Sequence, residues 1–192
     1  MADIYARTVA LVEKDIRDRR VLEIGSGKGY LLALLKKMGW DVQGVEISPS
    51  AANYSREKFN IRVFNGSLEE YDFSFPDTSY SLVLAIDLIE HVPDPRRFME
   101  VLKGKVEKKG LLILDTPNGD AHNISIWGSK WKGFNPFHFY IFDIANLTSL
   151  LNDNGFQVLK AFSYGNSPSH PVEESVIIEN LTKKMLKNAL NQ

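Results

Sequence analysis

Apolar residues fall in short runs along the 192-residue chain, and the runs alternate between two periods. Residues 21–24 (VLEI), 41–47 (DVQGVEI), 61–64 (IRVF), 80–86 (YSLVLAI) and 110–115 (GLLILD) are brief and rich in Val, Ile and Leu. Runs of that length, bounded by glycine or polar residues, predict strands buried on both faces. Between them lie stretches at helical spacing. Residues 30–38 (YLLALLKKM) are apolar at 31, 34, 35 and 38, and Gly39 stops the helix they predict. Ser48 and Pro49 open a helix to about residue 58, and Asp94 and Pro95 open another to about 106. Asp143 caps a helix over 144–152, closed by Asn154 and Gly155, and residues 156–164 (FQVLKAFSY) read as a sixth strand. Strand and helix in alternation predict an α/β fold.

Both ends add a helix. Residues 4–17 place Ile4, Thr8, Leu11, Val12 and Ile16 on one side, so a helix within residues 1–18 is expected to pack on the sheet or cover a ligand. Residues 171–191 carry apolar positions at 172, 176, 177, 181, 185 and 190, mostly helical spacing. Within them residues 175–179 (SVIIE) are the one candidate for a further strand, at the expense of that helix. The length suits a single domain over 1–192.

The first strand runs straight into Gly25, Gly27 and Gly29, and a helix follows at Tyr30. That order brings a helix N-terminus and bare backbone N–H groups up to a ligand. A dinucleotide fingerprint needs its third glycine at position 30, where this chain has tyrosine. Glu46 ends the second strand 21 residues past Gly25, the offset expected of an acid that accepts hydrogen bonds from ribose hydroxyls.

The loop Glu23-x-Gly25-x-Gly27-x-Gly29 resembles motif I of the class I S-adenosylmethionine (SAM) dependent methyltransferases. Residues 87–95 (DLIEHVPDP) are similar to a segment of the ubiquinone-biosynthesis-like, small-molecule members. The resemblance spans about residues 20–165. It implies a Rossmann-like, doubly wound, mostly parallel sheet of six to seven strands in the order 3-2-1-4-5-7-6, with helices on both faces. It implies S-adenosyl-L-methionine as cofactor and in-line transfer of its sulfonium methyl to an oxygen, nitrogen or carbon nucleophile of a small molecule.

The resemblance also assigns residues. Glu23, Gly25, Gly27 and Gly29 form the cofactor loop, and Ala85, Ile86 and Asp87 contact the methionine part. Glu46 and Ile47 belong to the ribose side. Ser67 and Leu68 take the adenine position, where many relatives carry Gly-Asp. Glu23, Glu46 and Asp87 suit a cationic cofactor and would repel a pyrophosphate. Lys28 reads as a solvated first-turn residue.

An acceptor hydroxyl or amine must lose a proton. His91 is the leading base and His138 the alternative, since imidazole suits general-base work near neutrality. His122 and His170 have no supporting context. No histidine pair shows ligand spacing along the chain, so no metal is expected. Residues 116–142 form a long connection with 7 aromatics between positions 127 and 142. It reads as a substrate lid bearing Trp127, Trp131 and Tyr140, or as a satellite core. Its Asn135-Pro136-Phe137 is similar to the Asn-Pro-Pro-Phe/Tyr motif of amino methyltransferases, but that motif ends the fourth strand, where this chain has Ala85-Ile86-Asp87-Leu88.

Composition narrows the partners. A formal net charge of −1 offers no basic field for nucleic acid. The absence of cysteine removes disulfides and thiolate chemistry. No apolar run reaches the roughly 18 residues of a membrane span. The first 15 residues are too charged for a signal peptide. A cytoplasmic monomer or homodimer acting on a small-molecule acceptor is expected. Two other readings stay open: a SAM-binding module without turnover, and a nicotinamide-dependent oxidoreductase, against which Tyr30 argues.

Overall fold

The structure is a computed structural model and describes residues 18–76, 78–163 and 175–178. Its strands are β1 (Arg20–Ile24), β2 (Asp41–Glu46), β3 (Arg62–Asn65), β4 (Tyr80–Ile86), β5 (Val106–Pro117), β6 (Ala161–Phe162) and β7 (Ser175–Ile178). They form one sheet in the order β3-β2-β1-β4-β5-β7-β6. β1 pairs with β2 in parallel from Arg20↔Asp41 to Ile24↔Val45, and β2 with β3 from Gln43↔Arg62 to Glu46↔Asn65. β7 runs antiparallel to both β5 and β6, with Ile178 opposite Leu114 on one side and Ala161 on the other.

The strand order is the expected one, and the tail supplies its last strand. Residues 175–178 are strand, which overturns the helix expected over 171–191 at those positions. Val176, Ile177 and Ile178 are β-branched, and all three pair with β5 while Ile177 and Ile178 also pair with β6. The rest of that expected helix, and the one over residues 4–17, lie outside the described residues. The sixth strand is two residues long rather than nine.

The chain packs as two units. One comprises the described residues up to Leu84 together with Gly104–Leu111; the other comprises Ala85–Lys103 and the described residues from Leu112 on. β4 and β5 each begin in the first and end in the second.

In the first unit, helices α1 (Tyr30–Lys37), α2 (Pro49–Phe59) and α3 (Leu68–Ser74) follow β1, β2 and β3. Leu31, Leu32 and Leu35 of α1 are buried, whereas Leu34 is half-exposed, so the buried stripe is narrower than the periodicity predicts. Ser48 caps α2 by accepting from the Ala51 N–H, with Pro49 in the first turn. The sequence reading assigned no helix to α3. Ser67 and Glu70 instead make a capping box that starts a helix, and Leu68 and Tyr71 are its buried residues. The core of this unit includes Val21, Leu22, Val45, Ile61 and Leu82.

Lys105 is fully buried in the first unit. Its ammonium lies 2.6 Å from an Asp72 oxygen and donates to the Phe75 carbonyl at 2.7 Å. It also stands 5.6 Å over the Tyr71 ring. A buried charge so satisfied fastens the end of α3, so Lys105→Ala is expected to lower unfolding free energy by about 2–4 kcal/mol in denaturant titrations. A loss under about 0.5 kcal/mol would show that these contacts contribute nothing.

The second unit holds α4 (Pro95–Lys105) up to Lys103, α5 (His122–Trp127), α6 (Ile144–Asp153) and two 3-10 turns, Ile89–His91 and Gly128–Lys130. Asp143 caps α6 through a reciprocal bond with Asn146. Ile89, Met99, Leu102, Ile113, Leu114 and Leu147 are among its fully buried apolar residues.

Candidate functional site

The glycine loop and the acid of β2 meet directly. Glu46 is buried, and its Oε2 accepts from the Gly27 N–H at 2.7 Å while Oε1 accepts from the Ser48 N–H at 2.7 Å. The parallel register explains the contact. Ile24 lies opposite Val45, so the strands end together, and Gly25 N–H and Ser26 N–H both donate to the Val45 carbonyl. Each carboxylate oxygen keeps a further acceptor direction for ligand hydroxyls.

The three glycines serve different ends. Gly25, Gly27 and Gly29 all have left-handed backbone, with φ of 70°, 52° and 73°. A Cβ on Gly27 would meet nothing within 4 Å, so the space beside it is open. A Cβ on Gly29 would lie 2.1 Å from Ser55 Oγ, so that glycine lets α1 and α2 pack. The sequence reading gave all three to the ligand, and the geometry reassigns Gly29 to helix packing. Lys28 is exposed, as expected, with its ammonium 5.3 Å from the Tyr54 ring centroid.

Glu23 is buried, and its Oε2 has no hydrogen-bond partner among the described residues. Burial first, and the charge of Glu46 second, push its carboxyl up to about 8. Between about pH 4.5 and 8 the folded chain therefore keeps a proton that the unfolded chain gives up, and stability falls as pH rises through that window. Glu23→Gln is expected to abolish this dependence: thermal melts should match the parent at pH 5 and exceed it at pH 9. A variant that melts below the parent at pH 9 would overturn the assignment.

Ile47 is 75% exposed at the mouth of β2, an apolar side chain kept in solvent beside the acid. Ser67 is spent on α3: its Oγ accepts from the Glu70 N–H and its own N–H donates to Glu70 Oε2. The Ser67 N–H and one lone pair of its hydroxyl are thus both used within the cap. Leu68 is buried.

In the second unit, β4 ends in Ala85 and Ile86, and Asp87 follows with φ of 48°. Its N–H donates to the Asp115 carbonyl, which holds a non-glycine residue in the left-handed region. The Asp87 residue keeps solvent contact, yet the surrounding protein atoms raise its carboxyl above the ordinary range, with His91 and His138 pulling it back.

The two histidines, 47 residues apart in sequence, come together. Their ring centroids are 4.6 Å apart at 79°. His91 Nδ1 lies 3.0 Å from the Phe137 carbonyl, and His138 Nδ1 lies 2.8 Å from the Gly133 carbonyl. A carbonyl accepts only, so each Nδ1 is a donor, and in the neutral tautomer Nε2 is the acceptor. Glu90, 1% exposed, lies beside the histidine pair, with Oε1 3.9 Å from His91 Nε2 and Oε2 accepting from the Thr116 hydroxyl at 2.8 Å. Burial raises the Glu90 carboxyl, and the Thr116 bond partly offsets it. Spacing along the chain showed no pair of histidines, and the fold brings these two side by side. Glu90 and Thr116 were not singled out in the sequence, where Glu90 reads as one more charge beside a histidine.

The aromatic connection divides between its two readings. Trp131 is buried against Phe134 and over Gly133, a core position, so the lid role expected of it does not fit. Trp127 is 55% exposed and Tyr140 is 41% exposed, with the Tyr140 hydroxyl donating to the Pro93 carbonyl. The connection is fastened to the 3-10 turn by the Phe139 N–H, which donates to the Glu90 carbonyl at 2.8 Å. Asn135 turns the chain there, its Oδ1 accepting from the Phe137 N–H, so Asn135-Pro136-Phe137 acts as a turn that presents His138.

Comparison with known proteins agrees with this geometry. A family model described as a methyltransferase domain matches residues 1–161. A probable S-adenosylmethionine-dependent methyltransferase, MT3114, of Mycobacterium tuberculosis is 32% identical over 139 residues, 72% of this chain and 48% of that one. The mitochondrial ubiquinone biosynthesis O-methyltransferase of Schizosaccharomyces pombe is 32% identical over 103 residues, 51% of this chain and 38% of that one. A tRNA U34 carboxymethyltransferase of Psychrobacter arcticus is 27% identical over 165 residues, covering 74% and 45%. The chain spans about half the length of the curated relatives it matches. The crystal structure of a SAM-dependent methyltransferase from Archaeoglobus fulgidus superposes with a TM-score of 0.73 at 21% identity, covering 93% of this chain and 94% of that one. No helix among the described residues is long and apolar enough to cross a membrane. With a glycine loop braced by the acid of its second strand, and a family model matched over most of its length, the chain belongs to the methyltransferase-domain family.

Proposed function

We propose that this chain binds S-adenosylmethionine and transfers its sulfonium methyl to an oxygen, nitrogen or carbon nucleophile of a small organic molecule. The observation that carries the reading is the Glu46 carboxylate held 2.7 Å from the Gly27 N–H. A carboxylate fixed there has acceptor directions left for both ribose hydroxyls, and Ile47 supplies an apolar surface for adenine. Gly25 and Gly27 leave room for the methionine part, and the Ser67 hydroxyl and Leu68 border the adenine edge. Glu23, which carries a proton at neutral pH, is poised to release it when a cationic ligand arrives. A pyrophosphate would meet the Glu46 carboxylate in its place, which disfavours a nicotinamide dinucleotide.

In the second unit, Ala85, Ile86 and Asp87 are assigned to the methionine part. His91 or His138 serves as the base that takes a proton from an acceptor hydroxyl or amine. Trp127 and Tyr140 give exposed aromatic surface for an apolar acceptor body. The −1 formal charge favours a small molecule over RNA. The chemistry is a displacement at carbon, so collinear positioning and exclusion of water supply most of the acceleration.

The test is calorimetric titration with S-adenosylhomocysteine and NADH, followed by transfer of radiolabelled methyl from SAM to panels of phenols, amines, acids and bulk tRNA. S-adenosylhomocysteine binding with label in a small molecule is expected. Label in tRNA alone would replace the acceptor class, and binding without label in any panel would make the chain a non-catalytic SAM module.

A further inference from the structure

We propose that Glu23 sets this site's preference for S-adenosylmethionine over S-adenosylhomocysteine: its side chain gives up a proton as the charged cofactor binds and takes one back once the methyl has gone. This role rests on the methyl-transfer reading and adds to it what separates cofactor from spent product.

Glu23 stands on β1, two residues before Gly25 and opposite Gly44 of β2. It is 5% exposed, and Glu46 at the end of β2 is 8% exposed. The two acids differ in what they bond. Glu46 accepts from the Gly27 and Ser48 N–H groups, one at each oxygen, and those donors hold it as an anion. Glu23 Oε2 is enclosed and meets no donor among the described residues. No ion pair among the described residues reaches either acid. Lys28, the cation of the loop itself, is exposed and turned to the Tyr54 ring. Two neighbouring acids without a cation keep one proton between them, and the donors on Glu46 leave it on Glu23. Burial first, and then the Glu46 charge, hold the Glu23 carboxyl at about 8, so it is protonated at neutral pH. Glu46 is the charged group that bears on it among the described residues.

Cofactor and product differ by one charge. SAM carries a sulfonium, an ammonium and a carboxylate and is a net cation, whereas S-adenosylhomocysteine lacks the sulfonium and is a neutral zwitterion. A net positive ligand beside two buried acids favours both being ionised, so the Glu23 proton leaves to solvent. The neutral product brings no such surplus. When the acceptor atom bonds the methyl carbon, the carbon–sulfur bond breaks and its electron pair stays on sulfur as a thioether. The site has then lost one positive charge, and Glu23 regains a proton from solvent. Over one cycle the proton released on binding is returned, and the net proton of the reaction comes from the acceptor alone. Below about pH 8 the free site must shed a proton to take SAM, so SAM affinity rises with pH and levels off once Glu23 is already ionised.

The test is calorimetric titration with SAM, with sinefungin, which carries an ammonium in place of the sulfonium, and with S-adenosylhomocysteine. Phosphate and Tris buffers, which differ in ionisation heat, give the number of protons released. Release of close to one proton is expected for SAM and for sinefungin near pH 7, and of almost none for S-adenosylhomocysteine. From about pH 6 to about 7.5 the preference for SAM over S-adenosylhomocysteine should rise about tenfold in the parent and stay flat in Glu23→Gln. Melts confirm that the variant is folded, and the proton count of the parent needs no variant. Equal proton release with charged and neutral ligands, or the same release in Glu23→Gln as in the parent, overturns the proposal while leaving the cofactor reading in place. Failure of all three ligands to bind overturns both.

Discussion

Replacing Glu46 by alanine is expected to weaken S-adenosylhomocysteine and SAM binding by roughly 10²–10⁴-fold, the largest effect of any single change in the cofactor site. Two ribose hydroxyls bonded to one carboxylate account for about 3–6 kcal/mol, at about 1.5–3 kcal/mol for each charge-assisted bond. The same carboxylate also braces Gly27 N–H and Ser48 N–H, so its loss frees the loop as well as the ligand. Glu46→Gln should fall between, because an amide can accept at only one of those two N–H groups and turns a donor toward the other. Removing the Glu46 charge should also lower the Glu23 carboxyl toward its ordinary range, since that charge helps to raise it. Calorimetric titration reads the affinities directly. Parent-like affinity in Glu46→Ala would place the cofactor elsewhere.

Alanine at Gly29 is expected to cost about 2–5 kcal/mol of stability, whereas alanine at Gly27 costs only about 1–2. Both positions are left-handed, and that alone accounts for about 1–2 kcal/mol with a Cβ present. The difference is space. At Gly29 the new carbon would stand 2.1 Å from Ser55 Oγ and 3.0 Å from Ser55 Cβ; at Gly27 it would meet nothing within 4 Å. Adding Ser55→Gly to Gly29→Ala should recover the packing part and leave the backbone part. The order reverses for binding, because a carbon on Gly27 occupies ligand space: Gly27→Ala should fold well and bind S-adenosylhomocysteine poorly. Chemical denaturation and calorimetry separate the two losses. Equal stability of the two variants would remove the distinction between a packing glycine and a ligand glycine.

The glycine loop was legible because its information is local. A short apolar strand, three glycines and a leucine-rich helix lie within 18 consecutive residues, from Arg20 to Lys37, and each constrains the next. Glu46 was legible because a parallel neighbour of fixed crossover length puts the end of β2 beside the loop. α3 was missed although its signal was present. Ser67 and Glu70 have capping-box spacing, but a seven-residue helix carries too few turns to show a periodicity. The first four residues of β5, VEKK, were missed because their polarity matches a turn, and Lys109 with φ of 79° breaks the regular alternation there. The strand at 175–178 was visible only as a rival to a helix, since apolar spacing alone does not separate the two in a short run.

Chain order by itself determined the fold class, the glycine loop and its partner acid, because these rest on neighbours in sequence or on a single parallel register. Only tertiary structure decided the rest. It decided that Gly29 serves helix packing, that Trp131 is core, that Glu23 is buried beside a second acid, and that His91 and His138 share one buried glutamate. The reason is distance along the chain: Glu90, Thr116 and His138 are separated by tens of residues with no periodic relation, and only the hydrogen bonds of the folded connection bring their side chains to one point.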